Sequence, residues 1–222
     1  MSYVVFSDVG GTVMKGTPWN IIRKHPSYNK MRGRIELARF LPTFVLNQLN
    51  IIGESEMRKQ WLARMAASFT GLSRDTIAKM YRDAIENDFQ QVLRQDVVAR
   101  LQEHKQQGAT VILVSGIFTD LVQQLAEHIG IDGAIGTQVE YKNNIATGRL
   151  FGEPCVGKNK IDFIHQYMQD NHPTIKLEDC YGYADSYSDR ALLSAVGHGV
   201  ATYPDELMRE TAEDSGWEMF PA

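Results

Sequence analysis

The stretch Val-Val-Phe-Ser-Asp-Val-Gly-Gly at residues 4–11 decides the fold of this chain. A short apolar run ends at Asp8, and Gly10 and Gly11 follow closely, which is the pattern of a buried parallel strand that stops in a tight loop. Strands of this kind deliver their last residues to the carboxyl edge of a sheet, where ligands bind. Asp8 is therefore predicted to lie at such an edge.

The rest of the sequence indicates two kinds of structure. Between about Pro18 and Leu93, apolar residues recur at helical spacings and no convincing strand pattern interrupts them. After residue 94, helices and strands alternate, which indicates a parallel sheet. We therefore expect an α/β fold: a Rossmann-like, doubly wound parallel sheet formed by residues 1–16 and 94–222, with an α-helical cap domain, residues 17–93, inserted after the first strand.

The second half of the chain contains the remaining predicted elements. A hairpin is expected over residues 139–150, with its turn at Asn143–Asn144. The predicted strands are 110–114, 180–184 and 200–202, and the predicted helices are 96–107, 158–168, 190–195 and 206–215.

Composition and charge exclude several classes of protein. With 43% hydrophobic and 23% charged residues among 222, the chain is neither disordered nor collagen-like. A net charge of −4 gives no global field for a polyanion, so no nucleic-acid partner is expected. Cys155 and Cys180 lack the Cys-x-x-Cys spacing, which favours a reducing, cytoplasmic location.

Targeting and membrane segments are not expected either. No basic region followed by a long apolar stretch precedes Asp8, so no signal peptide is predicted. The most apolar window, residues 37–52, is interrupted by Arg39, Pro42 and Asn47. A spanning helix needs about 20 apolar residues, so stable membrane insertion is not predicted.

Three carboxylates converge on the predicted sheet edge. Asp185 and Asp189 follow the strand 180–184, and Asp8 follows the first strand. A lone aspartate at such a place is more often a helix cap or a turn residue. Three together form a hard-oxygen arrangement that suits Mg²⁺.

Four segments, in order, resemble the motifs of the haloacid dehalogenase (HAD) superfamily, in particular its phosphoserine-phosphatase-like branch with a helical cap. The segments are residues 6–12, 111–116, 157–160 and 183–189. The resemblance covers nearly the whole chain. It implies a Mg²⁺-dependent phosphatase or phosphotransferase-type hydrolase that acts on a small phosphorylated metabolite through an aspartyl-phosphate intermediate.

The same resemblance implies a role for each matching residue. Asp8 would be the nucleophile, and Lys160, with Lys158 as the alternative, would neutralise charge on the phosphate. The implied Mg²⁺ ligands are Asp8, the backbone carbonyl of Gly10, Asp185 and Asp189. The implied phosphate-binding residues are Ser115, Gly116, Gly11 and Thr12.

Gly10 departs from the family pattern. Phosphatases of this superfamily normally carry a second aspartate there, which protonates the leaving oxygen and then activates water. Losing a general acid-base typically lowers a rate by about 10²–10⁴-fold. The proton could come from His25, Lys15 or water, the leaving group could need no proton, or Gly10 could be a substitution that weakens activity without altering the fold.

Two other functions remain open at this stage. A non-catalytic phosphate-binding protein would keep the pocket and the metal without turnover. A phosphonatase-like C–P hydrolase would use a cap lysine, Lys24 or Lys30, to form a Schiff base. Haloacid dehalogenation fits less well, because those enzymes dispense with Mg²⁺ whereas Asp185 and Asp189 are kept.

The sequence also limits the substrate. Phosphoserine phosphatases usually carry a serine and a nearby glutamate where this chain has Gly11 and residues 13–16, so phosphoserine is not expected. Residues 15–39 are basic and residues 37–52 are apolar. This pattern suits an anionic substrate with an apolar portion, a membrane surface, or simply a bundle helix with a solvated flank.

Overall fold

The computed structural model describes residues 2–221. Its strands are β1 (Val4–Ser7), β2 (Thr110–Phe118), β3 (Gly133–Lys142), β4 (Ile145–Phe151), β5 (Tyr181–Ala184), β6 (His198–Thr202) and β7 (Glu218–Phe220). Its α-helices are α1 (Trp19–Ile22), α2 (Lys30–Gln48), α3 (Glu54–Ser68), α4 (Arg74–Asn87), α5 (Gln95–Gln106), α6 (Thr119–His128), α7 (Asn159–Asn171), α8 (Arg190–Ala195) and α9 (Glu206–Ser215).

The strands form one sheet in the order β4-β3-β2-β1-β5-β6-β7. Every pair is parallel except β3 with β4. Alternate residues of β1 face opposite sides: Val5 packs in the cluster that includes α5 and α6, whereas Val4 and Phe6 pack with α7, α8 and α9. The predicted doubly wound α/β fold is therefore confirmed.

Strand β2 is longer than its apolar core predicts. It runs past Val114 to Phe118, and its register with β3 shifts between these two residues. Ser115 and Gly116 consequently lie in the irregular end of a strand and not in a loop after it. The edge strand β7 was not predicted, because a strand of only three residues is too short to show an alternating hydrophobic pattern.

Residues 19–87 contribute helices α1 to α4, and the chain enters and leaves this helical segment at one place. The amide of Lys15 donates to the carbonyl of Val92 at 2.8 Å, and the amide of Arg94 donates to Val13 at 2.9 Å. The two chain segments that connect the helical segment to the sheet therefore run side by side. Of the helices described, none is long and apolar enough to cross a bilayer.

The predicted hairpin is present as β3 and β4. Asn143 and Asn144 both have positive φ, 50° and 64°, as two-residue hairpin turns require. Strand β4 also contacts the helical segment, because Ala146 exchanges backbone hydrogen bonds with Gly71 and Leu72 at 2.9 and 2.8 Å. The loop between α3 and α4 is thus tied to the sheet.

Candidate active site

The three central strands bring the predicted residues to one edge. In the order β2-β1-β5, the carboxyl ends carry Ser115, Asp8 and Asp185. These residues are far apart in sequence but follow neighbouring strands. Asp189 follows one turn after Asp185, and Lys160 enters from the first turn of α7.

A cavity of about 410 Å³ lies over this edge, between the sheet and the helical segment. The sheet side contributes Asp8, Gly10, Gly11, Ser115, Gly116, Ile117, Val156, Gly157, Lys160, Asp185, Ser186 and Asp189. The helical segment and the loop leading into it contribute Gly16, Thr17, Pro18, Arg58, Trp61, Leu62 and Met65. The cavity is thus acidic and polar on one side and mostly apolar on the other.

Lys160 links two of the carboxylates. Its ammonium nitrogen lies 2.7 Å from Oδ1 of Asp8 and 2.8 Å from Oδ1 of Asp189, and all three side chains are buried. Buried charges are stable only when they are paired and hydrogen-bonded. Asp189 therefore orients the lysine that holds the nucleophile candidate.

The cavity carries an excess of negative charge. Burial raises the pKa of Asp8, Lys160 opposes the shift, and the charge of Asp189 adds to it. Burial alone would lower the pKa of Lys160, but Asp189 and Asp8 outweigh it and raise the value. Burial, followed by the charge of Asp8, raises the pKa of Asp185 to about 7.

Gly11 and Thr12 both lie against Asp185, and the phosphate-binding role predicted for them stays a prediction. The amide of Gly11 donates to the carbonyl of Met14 at 2.7 Å, so it is already used. The hydroxyl of Thr12 is buried and donates to Oδ1 of Asp185 at 3.1 Å. Gly11 has φ +93°, and a Cβ atom there would lie 2.0 Å from Oδ2 of Asp185. Only glycine permits this approach.

Ser115 and Gly116, predicted to bind phosphate, both border the cavity. Oγ of Ser115 accepts the amide of Ile117 at 3.2 Å, which leaves the hydroxyl proton free to donate to a bound oxygen. The carbonyl of Gly116 accepts a hydrogen bond from Thr137, which fixes the end of β2. A Cβ atom at Gly116 would lie 2.9 Å from Cγ1 of Val156, so a side chain would crowd the cavity floor.

Gly10 also borders the cavity, and its backbone is unstrained. A Cβ atom built there meets the carbonyl oxygen of Gly16 at 3.4 Å as its nearest neighbour, and its φ lies outside the left-handed region. Unlike Gly11, this position has room for a side chain. Among the described residues, the titratable groups that line the cavity are Asp8, Arg58, Lys160, Asp185 and Asp189, so no further histidine or glutamate replaces the missing acid-base.

The residues named as other proton or Schiff-base donors lie outside this cavity. His25 is 3.0 Å from Asp83 on α4. Lys15 is exposed. Lys24 and Lys30 line a different surface cavity with Arg23 and Arg34. Lys158 is exposed, which leaves Lys160 as the lysine of the site.

Arg58 is the site residue that the sequence did not reveal. It lies on the face of α3 that also presents Trp61, Leu62 and Met65 to the cavity, at the i, i+3, i+4 and i+7 spacing of one helix face. Its Nη2 lies 2.7 Å from Oε1 of Glu54. Burial lowers the pKa of Arg58, but Glu54 and then the more distant Asp189 reverse the shift and raise it. No local sequence signal marks Arg58, because its place in the site depends on how α3 packs over the sheet edge.

Cys155 is a buried structural residue. Burial raises the pKa of its thiol to about 12, so it carries no thiolate near neutral pH. Its amide donates to Thr137 at 3.0 Å. Cys180 is likewise free and buried.

The parallel sheet, with an acidic cavity at the carboxyl ends of its central strands, defines an α/β protein with a ligand site at the usual edge of the sheet. The chain belongs to the haloacid dehalogenase-like hydrolase family, whose model matches residues 5–194. The resemblance drawn from the four sequence motifs is therefore confirmed at the level of the superfamily.

Individual proteins resemble the chain to different extents. Phosphoserine phosphatase SerB1 of Mycobacterium tuberculosis is 36% identical over 118 residues, which are 53% of this chain and 38% of SerB1. The chain thus spans well under half the length of this relative. A protein of unknown function from Bordetella pertussis Tohama I shares the fold with a TM-score of 0.81 at 20% identity, covering 98% of this chain and 97% of the other.

A substrate-bound phosphoserine phosphatase complex has a TM-score of 0.64 at 16% identity, covering 100% of this chain and 94% of the other. At this identity the likeness shows the fold alone. The sequence similarity to SerB1 supports the predicted phosphoserine-phosphatase-like branch.

Proposed function

We propose that the protein is a phosphoric monoester hydrolase in which Asp8 takes the phosphoryl group from a small phosphorylated metabolite. The observation that carries the proposal is the buried Asp8–Lys160–Asp189 arrangement, which lies beside Asp185 at the floor of the cavity. We also propose that residues 17–93 act as a cap domain over a core formed by residues 1–16 and 94–222.

The geometry supports a two-step reaction. Because Oδ1 of Asp8 accepts from Lys160, Oδ2 is the oxygen that attacks phosphorus. A bond forms between Oδ2 and phosphorus while the ester P–O bond breaks, and the leaving oxygen keeps the electron pair. Lys160 and the hydroxyl of Ser115 stabilise negative charge on the phosphoryl oxygens. Water then attacks phosphorus and releases phosphate from Asp8.

The oxygen donors of the site fit Mg²⁺. Asp8, Asp185 and the carbonyl of Gly10 are hard oxygen ligands, and within the described residues Asp185 forms no ion pair with a cationic side chain. When bound, Mg²⁺ would supply charge neutralisation at the phosphate. Asp189 forms an ion pair with Lys160. Within residues 2–221, no three His, Cys, Asp or Glu side chains lie close enough together to hold a metal ion as a group. We therefore assign Asp189 to the lysine and the two other aspartates to the metal.

The cavity wall suggests the substrate class. The part contributed by the helical segment offers Trp61, Leu62 and Met65 as apolar surface and Arg58 as a cation. Among the residues described, it offers no carboxylate that could pair with an ammonium group. We infer a phosphate monoester with an apolar portion and a second anionic group in reach of Arg58. A cytoplasmic location is proposed as well, supported by the two free, buried cysteines.

The test compares wild type with Asp8→Asn on a panel of aryl and alkyl phosphates, with and without Mg²⁺. Asn is nearly isosteric with Asp, so the variant keeps the shape of the site but cannot form the aspartyl phosphate. Turnover that needs Mg²⁺ and disappears in Asp8→Asn supports the proposal. Equal residual turnover in both proteins contradicts it.

Gly10 favours one alternative, a non-catalytic phosphate-binding protein, because the cavity lacks the usual acid-base. Calorimetry with inorganic phosphate and Mg²⁺ separates the two functions. A binder takes up phosphate in a Mg²⁺-dependent way yet shows no turnover even of activated aryl phosphates. The phosphonatase alternative has less support, because Lys24 and Lys30 lie outside the cavity.

A further inference from the structure

The outer face of α2 exposes an unusual amount of apolar surface. Nine of the fourteen large exposed apolar side chains in residues 2–221 lie between Met31 and Ile51, and they are 39–66% exposed. We call the exposed side of residues 30–51 the α2 face. A contiguous apolar surface on a protein marks an interaction site, whereas scattered single residues do not.

Helical spacing shows that this exposure is a property of one side of α2. Glu36, Phe40 and Thr43 are buried, at the i, i+4 and i+7 positions of the side that packs on α3. On the opposite side, Met31, Ile35, Ala38, Pro42 and Val45 follow one another at four- and three-residue steps, and all are exposed. Met31, Ile35 and Val45 thus form a stripe that points away from α3, and the exposed side chains of Leu37, Leu41, Phe44 and Leu46 widen this apolar surface on its two sides.

Basic residues border this stripe. Residues 15–53 contain seven lysines and arginines and a single acidic residue, Glu36, in a chain whose overall net charge is −4. Lys30 and Arg34 are exposed and one helical turn apart beside the stripe. Glu36 is buried and already paired with Arg39 and Arg64. Within the described residues, Lys24, Lys30 and Arg34 form no ion pair.

We propose that the α2 face docks the protein onto the surface of an anionic phospholipid bilayer. An apolar stripe flanked by lysine and arginine is the pattern of a helix that lies in the membrane interface, with its apolar side among the acyl chains and its charges at the headgroups. The net negative charge of the remainder of the chain would orient this face toward the membrane, because the rest is repelled by the same lipids.

A second copy of the chain fits the face less well. Paired helices select their partner through opposite charges beside the apolar seam. Here the exposed charges beside the seam are basic, and the lone carboxylate of this region is buried. Two α2 faces would therefore bring like charges together, whereas anionic headgroups supply the missing negative charge.

The α2 face is separate from the candidate active site. None of its residues lines the catalytic cavity, whose wall from the helical segment comes from α3 and the loop at residues 16–18. Variants of the α2 face should therefore leave hydrolysis of a water-soluble aryl phosphate unchanged. Binding to lipid and activity can be measured independently, so failure of this proposal and failure of the proposed function are distinguishable.

The experiment is flotation of the full chain with phosphatidylcholine vesicles and with phosphatidylcholine vesicles that contain phosphatidylglycerol. We expect binding to the anionic vesicles that weakens as salt is raised. Lys30→Gln/Arg34→Gln should reduce this affinity by roughly thirtyfold, from about 1 kcal/mol per charge. Leu41→Ser/Leu49→Ser should abolish it, since both substitutions remove apolar surface from the α2 face.

Two control variants match these changes on other surfaces. Lys142→Gln/Lys158→Gln removes two exposed charges, and Phe151→Ser/Leu207→Ser removes two side chains of similar exposure, 63% and 56%. Both should bind like wild type. The proposal is overturned by absence of binding, by equal binding to both kinds of vesicle, or by binding that survives the α2 variants. A dimer in light scattering that Leu41→Ser/Leu49→Ser makes monomeric would assign the face to a second copy instead.

Discussion

Nζ of Lys160 lies 2.7 Å from Oδ1 of Asp8, with 4% of the lysine side chain and 8% of the aspartate side chain exposed. The distance joins the first turn of α7 to the end of β1 across 152 residues of sequence. Because the same ammonium also contacts Asp189 at 2.8 Å, one cation holds two buried carboxylates. The geometry of the candidate nucleophile therefore depends on a lysine that belongs to another element.

The first prediction concerns this pairing. In Lys160→Gln, two buried carboxylates lose their cation, which should lower the free energy of unfolding by about 3 kcal/mol. Turnover of aryl phosphates should fall at least about a hundredfold, because charge on the phosphate is no longer neutralised. Urea denaturation and steady-state kinetics measure the two effects.

Lys158→Gln is the matched control, because Lys158 is exposed two residues earlier in the chain. It should change stability by no more than about 0.5 kcal/mol. If Lys158→Gln lost activity while Lys160→Gln kept it, the assignment of the lysine would be reversed.

The sequence predicted the sheet edge well because strand ends are local signals. Apolar runs that stop at Asp8 and Asp185 place those residues at one edge by topology alone. The sequence predicted that Gly11 and Thr12 belong to the site. It did not predict their contact with Asp185, because that residue lies more than 170 positions away in the chain. A contact between residues so far apart in sequence is determined by tertiary packing, and the local spacing of residues does not predict it.

The helical segment shows the opposite case. Its helices follow from periodicity, but periodicity does not say which face points into a cavity. Arg58 is one of several arginines on amphipathic helices, and only the packing of α3 over the sheet edge distinguishes it. The link between Ala146 and the loop after α3 was equally invisible, because it joins two elements that are remote in sequence.

The second prediction tests Arg58 as a substrate-binding residue. Arg58→Gln should raise KM for a phosphate monoester with a second anionic group by about tenfold, the loss of one partly exposed charge-assisted contact of about 1.4 kcal/mol. KM for a simple aryl phosphate, which has no second anion, should hardly change. A series of phosphate esters with and without a carboxylate measures the difference.

Arg64→Gln serves as the control for this change. Arg64 lies on the same helix with nearly the same exposure, 41% against 39%, but pairs with Glu36 outside the catalytic cavity. It should leave the kinetics of both substrates unchanged. An equal rise in KM for both substrates in Arg58→Gln would mean that Arg58 shapes the cavity without recognising an anion.

The third prediction concerns stability and pH. His104 on α5 is buried between Tyr3 and Tyr183, with its Nδ1 and Nε2 atoms 2.9 and 2.7 Å from the two hydroxyls. Burial, and then the charge of Arg100, lower the pKa of His104 to about 4. In the unfolded chain the ring takes a proton near pH 6.5.

Between these two pKa values the unfolded state binds more protons, so the free energy of unfolding should fall as pH is lowered from 6.5 toward 4. The part due to His104 amounts to about 3 kcal/mol over this window. Urea denaturation of wild type and His104→Gln at several pH values isolates it, since other groups titrate in both proteins. Parallel curves for the two proteins would show that the imidazole stays accessible to protons.

The fourth prediction follows from Gly10 and separates the two steps of the proposed reaction. Attack by Asp8 needs only placement and charge neutralisation, so it can proceed when the leaving group is already acidic. Water attack on the aspartyl phosphate then lacks its base. Aryl phosphates should therefore give a burst of product and slow steady turnover, whereas alkyl phosphates react slowly throughout. Stopped-flow release of nitrophenol, with mass spectrometry of an adduct on Asp8, measures this.

Gly10→Asp should remove the burst and raise alkyl phosphate turnover by about 10²–10⁴-fold, the usual contribution of a general acid-base. The position can accept the side chain, because the nearest atom to a new Cβ is the carbonyl oxygen of Gly16 at 3.4 Å. Gly11→Ala is the contrasting control, since its Cβ would lie 2.0 Å from Oδ2 of Asp185, and it should lose activity. A linear trace in wild type, without adduct and with alkyl esters as fast as aryl ones, would mean that another group already supplies the proton. In that case Gly10→Asp would add a redundant carboxylate to a cavity that already holds three, and its activity should not rise.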